Sequence, residues 1–222
     1  MKVRIGHAAW VVGVVQFFVI HGIAESAWAR PYSWAQNSIS DLGNARCALR
    51  AAPEPRYVCS PEHGLMNGSF VALGVLLVVG AVLTGDALWR KGPAAGLARL
   101  LLAGAGTGFV LAGPAPADVD ENLHVLGALL VMAGGGIGLV LTGSDLAGHV
   151  RPPVRRATAL LRIMAIAALG LFLSRHYLGL GMGGMERVAA FPLLLRALAA
   201  GAPGLVRRPE EPGVSAPRWR TA

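Results

Sequence analysis

The sequence has little charge: only 14% of its 222 residues are Asp, Glu, Lys or Arg, whereas 54% are hydrophobic. In an average soluble globular protein about 25% of residues are charged. No stretch of about ten residues alternates apolar and polar side chains, which excludes membrane-spanning β-strands. The shortage of charge therefore indicates a protein built from apolar helices that cross a membrane.

Cysteine is also scarce. The two cysteines, Cys47 and Cys59, both lie in one long connection between the first two apolar stretches. Two cysteines at this spacing do not make a zinc motif. If the connection lies outside the cytoplasm, we expect them to form a disulfide bond, which would contribute about 3 kcal/mol in the chain-entropy model. Two free thiols are the alternative.

Six apolar stretches each meet or approach the length of about 20 residues that a helix needs to cross a hydrocarbon core of roughly 30 Å. Because lipid cannot satisfy backbone donors, connected spans of this kind must be helices. We therefore predict an all-α, polytopic membrane bundle with six transmembrane helices in one domain, residues 1–206. The predicted spans are approximately residues 7–29, 64–85, 97–113, 123–143, 157–173 and 188–206.

Two further segments flank or interrupt these spans. Residues 30–62 form a loop that is long for a compact protein, and loops of this length are usually functional or have structure of their own. Residues 207–222 are rich in Pro, Arg and Glu, which predicts a disordered tail. We expect one transmembrane domain with this loop on one face and the tail on the other.

The first span resembles a signal peptide, because Ala27-Trp28-Ala29 resembles a signal-peptidase site. Its second half, however, carries Gln16, His21 and Glu25, which make it polar for a disposable leader. We therefore expect the first helix to be retained. Cleavage, which would leave five spans, is the alternative.

The basic residues are distributed unevenly along the chain. Most lysines and arginines fall on one side of the six-span arrangement, whereas the arginines of the other side are mixed with acids. This positive-inside bias predicts that both termini are cytoplasmic and that the loop 30–62 is extracytoplasmic. The net charge of +8 then serves to anchor the protein beside anionic headgroups. We expect no nucleic-acid partner.

The predicted outer face gathers four of the six histidines and eight of the twelve acids. Several helix ends contribute to this set, and the helix ends of one bundle lie within a few helix diameters of each other. We predict that these side chains converge in a pocket that binds a lipid headgroup or a small polar ligand. The candidate ligand-binding residues are Asn37, Ser40, Asp41, His63, Asn67, Asp118, His124, Arg175, His176, Glu186 and Arg187.

Ordinary structural roles compete with this hypothesis. An acid before a helix, such as Asp118, caps the helix and complements its dipole. A histidine at the membrane interface is often only an amphipathic anchor. Asp41 can cap a turn, and Glu186 with Arg187 can form a local ion pair. The group as a whole still favours a shared pocket, because polar side chains that face lipid are costly and usually turn inward.

Arg196 is placed differently from the other polar residues. It lies about nine residues, or roughly 13 Å by the helical rise, into the last predicted span. An arginine near mid-membrane costs a few kcal/mol at least. Either it snorkels, or it faces the interior and pairs with a polar group such as Gln16 or binds an anionic headgroup.

Four spaced motifs stand out in the sequence: Asn37–Gly43 (NSISDLG), His63–Phe70 (HGLMNGSF), the Gly-Pro-Ala-Pro-Ala-Asp turn that leads to His124, and Glu186-Arg187-Val188. Together they resemble those of a bacterial membrane family, called domain of unknown function 998, over roughly residues 8–206. The resemblance implies six spans and a plasma-membrane location, and it supplies no established activity. The His21/Glu25 pair and Arg196 look atypical for the family.

A looser similarity links the chain to the membrane hydrolases of the alkaline ceramidase and progestin-receptor-like superfamily, which combine a Ser, an Asp and three His around zinc. Those proteins have seven spans and a paired His in one helix, whereas no His-x-x-x-His occurs here. Three neutral imidazoles and a water would satisfy a catalytic zinc ion. The similarity implies Ser40 and Asp41 as site residues and His63, His124 and His176 as zinc ligands.

Three functions are consistent with these patterns. The first is binding of a ligand without catalysis. The second is a metal-dependent hydrolase or transferase that acts on lipid, with Asp41 or Glu186 as general base. The third is a secondary transporter, against which stand the few ionisable groups at mid-depth and the lack of an inverted repeat. The sequence decides neither whether the protein is an enzyme nor its oligomeric state.

Overall fold

A computed structural model of the chain describes residues 1–28, 30–51, 54–142 and 152–206, and these residues are mostly helical. The predicted tail 207–222 lies outside them. The helices are α1 (Lys2–Ser26), α2 (His63–Leu83), α3 (Gly85–Leu88), α4 (Pro93–Ala112), α5 (Glu121–Leu129), α6 (Gly135–Thr142), α7 (Pro152–Leu173) and α8 (Gly181–Val206).

Three smaller elements complete the architecture. A π-helical stretch, Leu130–Gly134, joins α5 to α6 without a break. A short 3₁₀ helix, Ser40–Gly43, lies in the connection between α1 and α2. The same connection forms an antiparallel hairpin of β1 (Ala48–Arg50) and β2 (Arg56–Val58). The long loop therefore has structure of its own.

Within the described ranges, five helical segments are long and apolar enough to cross a membrane: α1, α2, α4, the joined α5–α6, and α8. The apolar part of α7, Ala157–Leu173, is shorter. These segments confirm the prediction of a helical, multi-pass membrane protein. The number of six spans and the orientation of the termini stay predictions.

The long helices pack in a ring that follows chain order. Helix α1 packs against α2, α2 against α4, α4 against α5 and α6, α6 against α7, and α7 against α8, which returns to α1. Turn 113–120 and the start of α8 both contact the connection between α1 and α2. We call this end of the ring the long-loop end.

Close helix contacts in the ring depend on small residues, as in other membrane bundles. A Cβ atom on Gly74 of α2 would overlap the carbonyl oxygen of Gly106 on α4, and the reverse substitution would clash as well. Below the long-loop end, the rings of Phe17, Phe70 and Phe109 lie 6.0–6.3 Å apart, centroid to centroid. Helix α1 supplies one of these rings, so it forms part of the core.

Two details differ from the sequence-based expectations. Helix α8 begins at Gly181 instead of near residue 188, so Glu186 and Arg187 lie inside the helix and not at its start. A Cβ atom on Gly183 would overlap the carbonyl oxygen of Asn37, so this glycine allows the first turn of α8 to pack against the long loop. The suggested pairing of Arg196 with Gln16 is wrong, because the Gln16 side chain bonds to α1 and α2 instead.

Candidate functional site

The turn that presents Ser40 is fixed by a reciprocal pair of hydrogen bonds. The Ser38 backbone N–H donates to Asp41 Oδ2 at 3.0 Å, and the Asp41 backbone N–H donates to Ser38 Oγ at 3.0 Å. This arrangement satisfies free donors at the start of the 3₁₀ helix, as a capping box does in an α-helix. Asn37 Nδ2 donates to the same carboxylate oxygen at 3.3 Å. The polar residues of the NSISDLG motif thus shape the turn.

Asp41 is also held by a second segment of the long loop. Arg56, on β2, donates from Nε to Asp41 Oδ2 at 2.7 Å and from Nη2 to Oδ1 at 2.9 Å. Burial opposes the charge of the guanidinium, but the hydrogen bonds and charge of Asp41 outweigh it and raise the pKa of Arg56. Since both carboxylate oxygens accept hydrogen bonds, this geometry favours a structural role for Asp41 over the predicted role of general base.

The disulfide bond between Cys47 and Cys59 closes the β1–β2 hairpin that carries Arg56. It joins the residues just before β1 and just after β2. The expected bond between the two cysteines is therefore present. It ties the segment that carries Arg56 to the rest of the loop.

A chain of three side chains crosses the site from α5 to α8. His124 Nε2 on α5 lies 2.9 Å from Ser40 Oγ, and Ser40 Oγ lies 3.2 Å from Glu186 Oε1 on α8. The other carboxylate oxygen of Glu186 accepts the Ile39 backbone N–H at 2.6 Å. His124 Nδ1 lies 2.9 Å from the carbonyl oxygen of Ala115. Three of the predicted site residues are thus brought together.

Ser40 opens into a cavity of about 290 Å³, which we call the Ser40 cavity. One part of its wall is polar, with Ser40, Glu186, His124 and two arginines, Arg50 and Arg56. The other part is apolar and comes from α5, the π-helical stretch, α7 and the first turn of α8. The apolar lining residues are Val125, Ala128, Leu129, Met132, Phe172, Leu173 and Met182, with Ala117 from the preceding turn.

Asp118 joins the turn before α5 to the long loop. Its carboxylate accepts the backbone N–H groups of Ala45 at 3.1 Å and Arg46 at 2.7 Å. Arg50 Nη2 lies 3.7 Å from the same carboxylate, which is an ion-pair distance but too long for a hydrogen bond. Asp118 therefore holds the loop, and Asp120, not Asp118, caps α5 by accepting the Leu123 N–H.

Arg187 is buried beneath the long loop, where it acts as a clamp. Its Nη1 donates to the carbonyl oxygens of Trp34, Asn37 and Gly183 at 2.8–3.1 Å, and its Nη2 donates to the Tyr32 hydroxyl. The guanidinium also lies 4.8 Å from the Trp34 ring centroid. The ion pair that was suggested with Glu186 is absent from the ion pairs of the described residues. Burial raises the pKa of Tyr32, so the phenol stays neutral beside Arg187.

Asn67 links two of the sequence motifs, because it belongs to HGLMNGSF and contacts Gly43, the last residue of NSISDLG. Its Nδ2 on α2 donates to the carbonyl oxygen of Gly43 at 2.9 Å. A Cβ atom on Gly43 would overlap Asn67 Oδ1, so a side chain at this position would displace the Asn67 amide. Asn67 therefore seats the loop, and it does not line the Ser40 cavity.

Three predicted site residues lie elsewhere. His63 begins α2 and does not line the cavity. Arg175 and His176 lie exposed in the turn after α7, where His176 Nδ1 contacts Ser174. In the described part of the chain, no three His, Cys, Asp or Glu side chains lie close enough together to hold a metal ion. The suggested zinc site of His63, His124 and His176 therefore has no ligand cluster to support it.

Three residues of the site, Arg50, Arg56 and Tyr32, were not predicted from the sequence. Arg56 lies 15 positions from Asp41, and only the hairpin and its disulfide bring the two together. The position of Arg56 between the two cysteines was the one available signal. No signal in the sequence indicated Tyr32, because its partner Arg187 is 155 positions away.

Comparison with known proteins identifies the family of this chain. The model of a family described as "Protein of unknown function (DUF998)" matches residues 11–203, which is most of the chain. No curated protein and no solved structure matches. The family that the motifs resemble is therefore confirmed, and the matched region includes every residue of the Ser40 cavity.

Proposed function

This chain belongs to the DUF998 family, and we propose that it is a six-span plasma-membrane protein that binds the polar part of an amphiphilic ligand in the Ser40 cavity. The ligand is a lipid headgroup or a small polar molecule, as the sequence predicts. One observation carries the proposal: a cavity of about 290 Å³ with one polar wall and one apolar wall. Such a cavity is at the small end of the range for ligand sites.

The proposed orientation places the long-loop end outside the cytoplasm. A disulfide bond persists in oxidising compartments, and this end carries the Cys47–Cys59 bond. The opposite end carries Arg90 and Lys91 between α3 and α4, which suits the cytoplasmic side under the positive-inside rule. The sixth span would be α7, whose 22 residues include the shorter apolar segment.

The mouth of the cavity favours a ligand that enters from the bilayer. Val125 and Leu129 on α5 and Leu173 on α7 all line the cavity, and these residues are 47%, 38% and 60% exposed. Exposed apolar side chains at helix ends in a membrane protein face lipid. An acyl chain could therefore stay in the bilayer while the polar part of the same molecule enters between α5 and α7.

Arg50 supplies an available donor on the polar wall. Its Nε atom is buried and has no hydrogen-bond partner among the described residues, and its Nη2 lies 3.7 Å from Asp118 Oδ2. An unpaired buried donor of a charged group costs free energy. A phosphate or carboxylate oxygen of the ligand would satisfy it. Arg56 is less available, because Asp41 already occupies its Nε and Nη2 atoms.

The test is ligand-dependent thermal stabilisation of the purified protein. Lipids with anionic, zwitterionic and uncharged headgroups are added separately, and the unfolding midpoint is measured at several concentrations. We expect at least one class to raise the midpoint, because a ligand that binds only the folded state stabilises it. Arg50→Gln should weaken the apparent affinity by about tenfold or more, the loss expected for one charged hydrogen bond.

Arg30→Gln is the matched control. Arg30 is an exposed arginine of the same loop that stacks on Tyr57 and does not line the cavity. Its variant should bind as the wild type does. If no headgroup class shifts the midpoint, or if both variants lose the response equally, the proposed function is wrong.

A further inference from the structure

The contacts of Ser40 place one proton between two acceptors. A carbonyl oxygen can only accept, so the contact of His124 Nδ1 with Ala115 requires that this nitrogen carry the hydrogen. In a neutral imidazole, Nε2 is then an acceptor, and it lies 2.9 Å from Ser40 Oγ. The carboxylate oxygen of Glu186 is a second acceptor at 3.2 Å. The hydroxyl has a single hydrogen for these two neighbours.

With His124 neutral, one arrangement satisfies every contact in this chain of groups. Glu186 carries a proton and donates it to Ser40 Oγ, Ser40 donates its own hydrogen to His124 Nε2, and His124 donates from Nδ1 to Ala115. The imidazole is held in one tautomer with its basic nitrogen directed at the serine hydroxyl. This is the relation between a nucleophile and its base in covalent catalysis. The backbone carbonyl takes the orienting role that a carboxylate has in many hydrolases.

Ser40 is also reachable from the large cavity. It is partly exposed, and it lines both the 290 Å³ cavity and a smaller apolar one of about 40 Å³ beneath it. His124 and Glu186 line the same two spaces. A ligand whose polar part lies on the cavity wall therefore meets the serine oxygen, and its apolar part meets α5 and α7.

We propose that Ser40 is a nucleophile and His124 its general base, and that the protein cleaves a carboxylic ester of an amphiphile bound in the Ser40 cavity. This inference rests on the proposed function for its substrate. It requires no metal ligand set, and its residues differ from the zinc-site candidates in that His63 and His176 take no part.

The reaction balances with water as the only co-reactant. Ser40 Oγ attacks the acyl carbon while its proton passes to His124 Nε2, and the ester C–O bond breaks as that proton moves to the leaving alcohol oxygen. Water then attacks the acyl-serine, gives a proton to His124 Nε2, and releases the carboxylic acid as the proton returns to Ser40 Oγ. The net reaction is ester plus water giving acid plus alcohol.

The first experiment uses a fluorophosphonate probe on the purified full-length protein in lipid nanodiscs. The probe reacts with an activated serine by loss of fluoride, and peptide mass spectrometry locates the label. We expect labelling at Ser40, its loss in Ser40→Ala, and at least a tenfold slower rate in His124→Gln. Ser174→Ala and His63→Gln are the controls, since neither residue lines the cavity, and both variants should label as the wild type does.

A second variant keeps the proposal falsifiable if Ser40→Ala does not fold. The cysteines at 47 and 59 are bonded to each other, so Ser40→Cys introduces a single free thiol. A neighbouring imidazole favours the reactive thiolate. We expect iodoacetamide to alkylate this thiol at least about tenfold faster than the same thiol in a Ser40→Cys/His124→Gln protein. Equal alkylation rates in the two proteins would overturn the proposal. A fluorophosphonate labelling rate that His124→Gln leaves unchanged would overturn it as well.

The two proposals fail separately in these experiments. If lipids still raise the unfolding midpoint but Ser40 does not react, the proposed ligand binding is supported and the proposed catalysis is wrong. If Ser40 reacts with the probe but no lipid class is bound, the assignment of Ser40 as a nucleophile is supported, because the probe is small and does not depend on headgroup recognition. In that case both the proposed function and the proposed substrate are wrong.

Discussion

Two arginines on the same helix show how differently this protein treats a buried cation. Arg187, in the second turn of α8, is surrounded by three carbonyl oxygens, a phenol and an indole ring. Arg196 lies farther along α8 in a cavity lined mainly by apolar side chains, including Trp10 and Trp89. Among the described residues, Nε lacks a hydrogen-bond partner in both arginines, so the difference lies in the Nη atoms, which in Arg187 donate to these oxygens.

The difference comes from the long loop. Each interior carbonyl of a helix already accepts a backbone hydrogen bond, so a helix offers a buried cation only the remaining lone pairs, as Gly183 does to Arg187. The loop 30–62 brings free carbonyls to the long-loop end, and Arg187 uses two of them. No such loop reaches the surroundings of Arg196 within the part of the chain that the structure describes. Polar chemistry is therefore expected where the loop covers the helix ends, and Arg196 should contribute little to stability.

Replacement of Arg187 should have the largest effect on stability. Arg187→Met leaves the Trp34 carbonyl without its guanidinium donor and frees the loop from α8. We expect a loss of about 4 kcal/mol, the sum of a few hydrogen bonds to a charged group, seen as a lower thermal unfolding midpoint. Arg187→Lys should lie between wild type and Arg187→Met, since a single ammonium cannot reach all four acceptors.

Arg175→Met is the control for that experiment, because Arg175 is an exposed arginine in the turn just before α8. It should leave the midpoint nearly unchanged. An Arg187→Met protein as stable as the wild type would show that the carbonyl clamp does not hold the loop.

The Asp41–Arg56 pair should have the next largest effect. Asp41→Asn removes the charge that holds Arg56 and weakens the capping of the 3₁₀ helix, so we expect a loss of about 3 kcal/mol. A double-mutant cycle with Arg56→Gln measures the pair itself. Asp120→Ala, which removes only a helix cap, should cost about 1 kcal/mol. The absence of coupling between positions 41 and 56 would contradict the observed bidentate geometry.

Loss of the disulfide bond should weaken the same loop by a different route. In Cys47→Ser/Cys59→Ser, the hairpin that carries Arg56 is no longer closed, and the chain-entropy model gives a loss of about 3 kcal/mol. The variant should also show a smaller coupling between Asp41 and Arg56 than the wild type does. Unfolding in the presence and absence of a reducing agent provides the control, since only the wild type should respond to it.

Replacement of Arg196 should have the smallest effect on stability. It tests the second half of the comparison between Arg187 and Arg196. Arg196→Met fills the cavity with an apolar side chain of similar length and removes a buried charge, so the midpoint should stay the same or rise by the equivalent of about 1 kcal/mol. The thermal midpoint is compared with that of Arg187→Met under identical conditions. A large loss of stability would show that Arg196 has a partner that holds it.

The fold was largely predictable because membrane-spanning helices follow from apolar length alone. The family resemblance was predictable for the same kind of reason, since the NSISDLG and HGLMNGSF motifs are local in sequence. The bounds of the helices were less predictable. Residues Gly181–Gly184 form the first turn of α8 because they pack against Ala35 and Asn37, a contact that no local sequence pattern shows.

The site was predictable in part. Ser40, Asp41, His124 and Glu186 were selected because polar residues at the ends of membrane helices tend to converge, and they do line one cavity. Their individual roles were not predictable, since the two oxygens of Asp41 are occupied by Arg56 from another segment. His176 was selected for its residue type alone, and it lies exposed in a turn.

The most direct test of the central claim is to map where a photoreactive lipid crosslinks to the protein. A lipid with a diazirine near its headgroup is incorporated into nanodiscs with the wild-type protein, and crosslinked peptides are identified by mass spectrometry. We predict crosslinks concentrated in residues 121–134 and 171–186, and a strong reduction when Ala128→Phe fills the cavity. Crosslinks spread evenly over the lipid-facing helices, α4 included, and unchanged in Ala128→Phe would contradict the claim that an amphiphile occupies the Ser40 cavity.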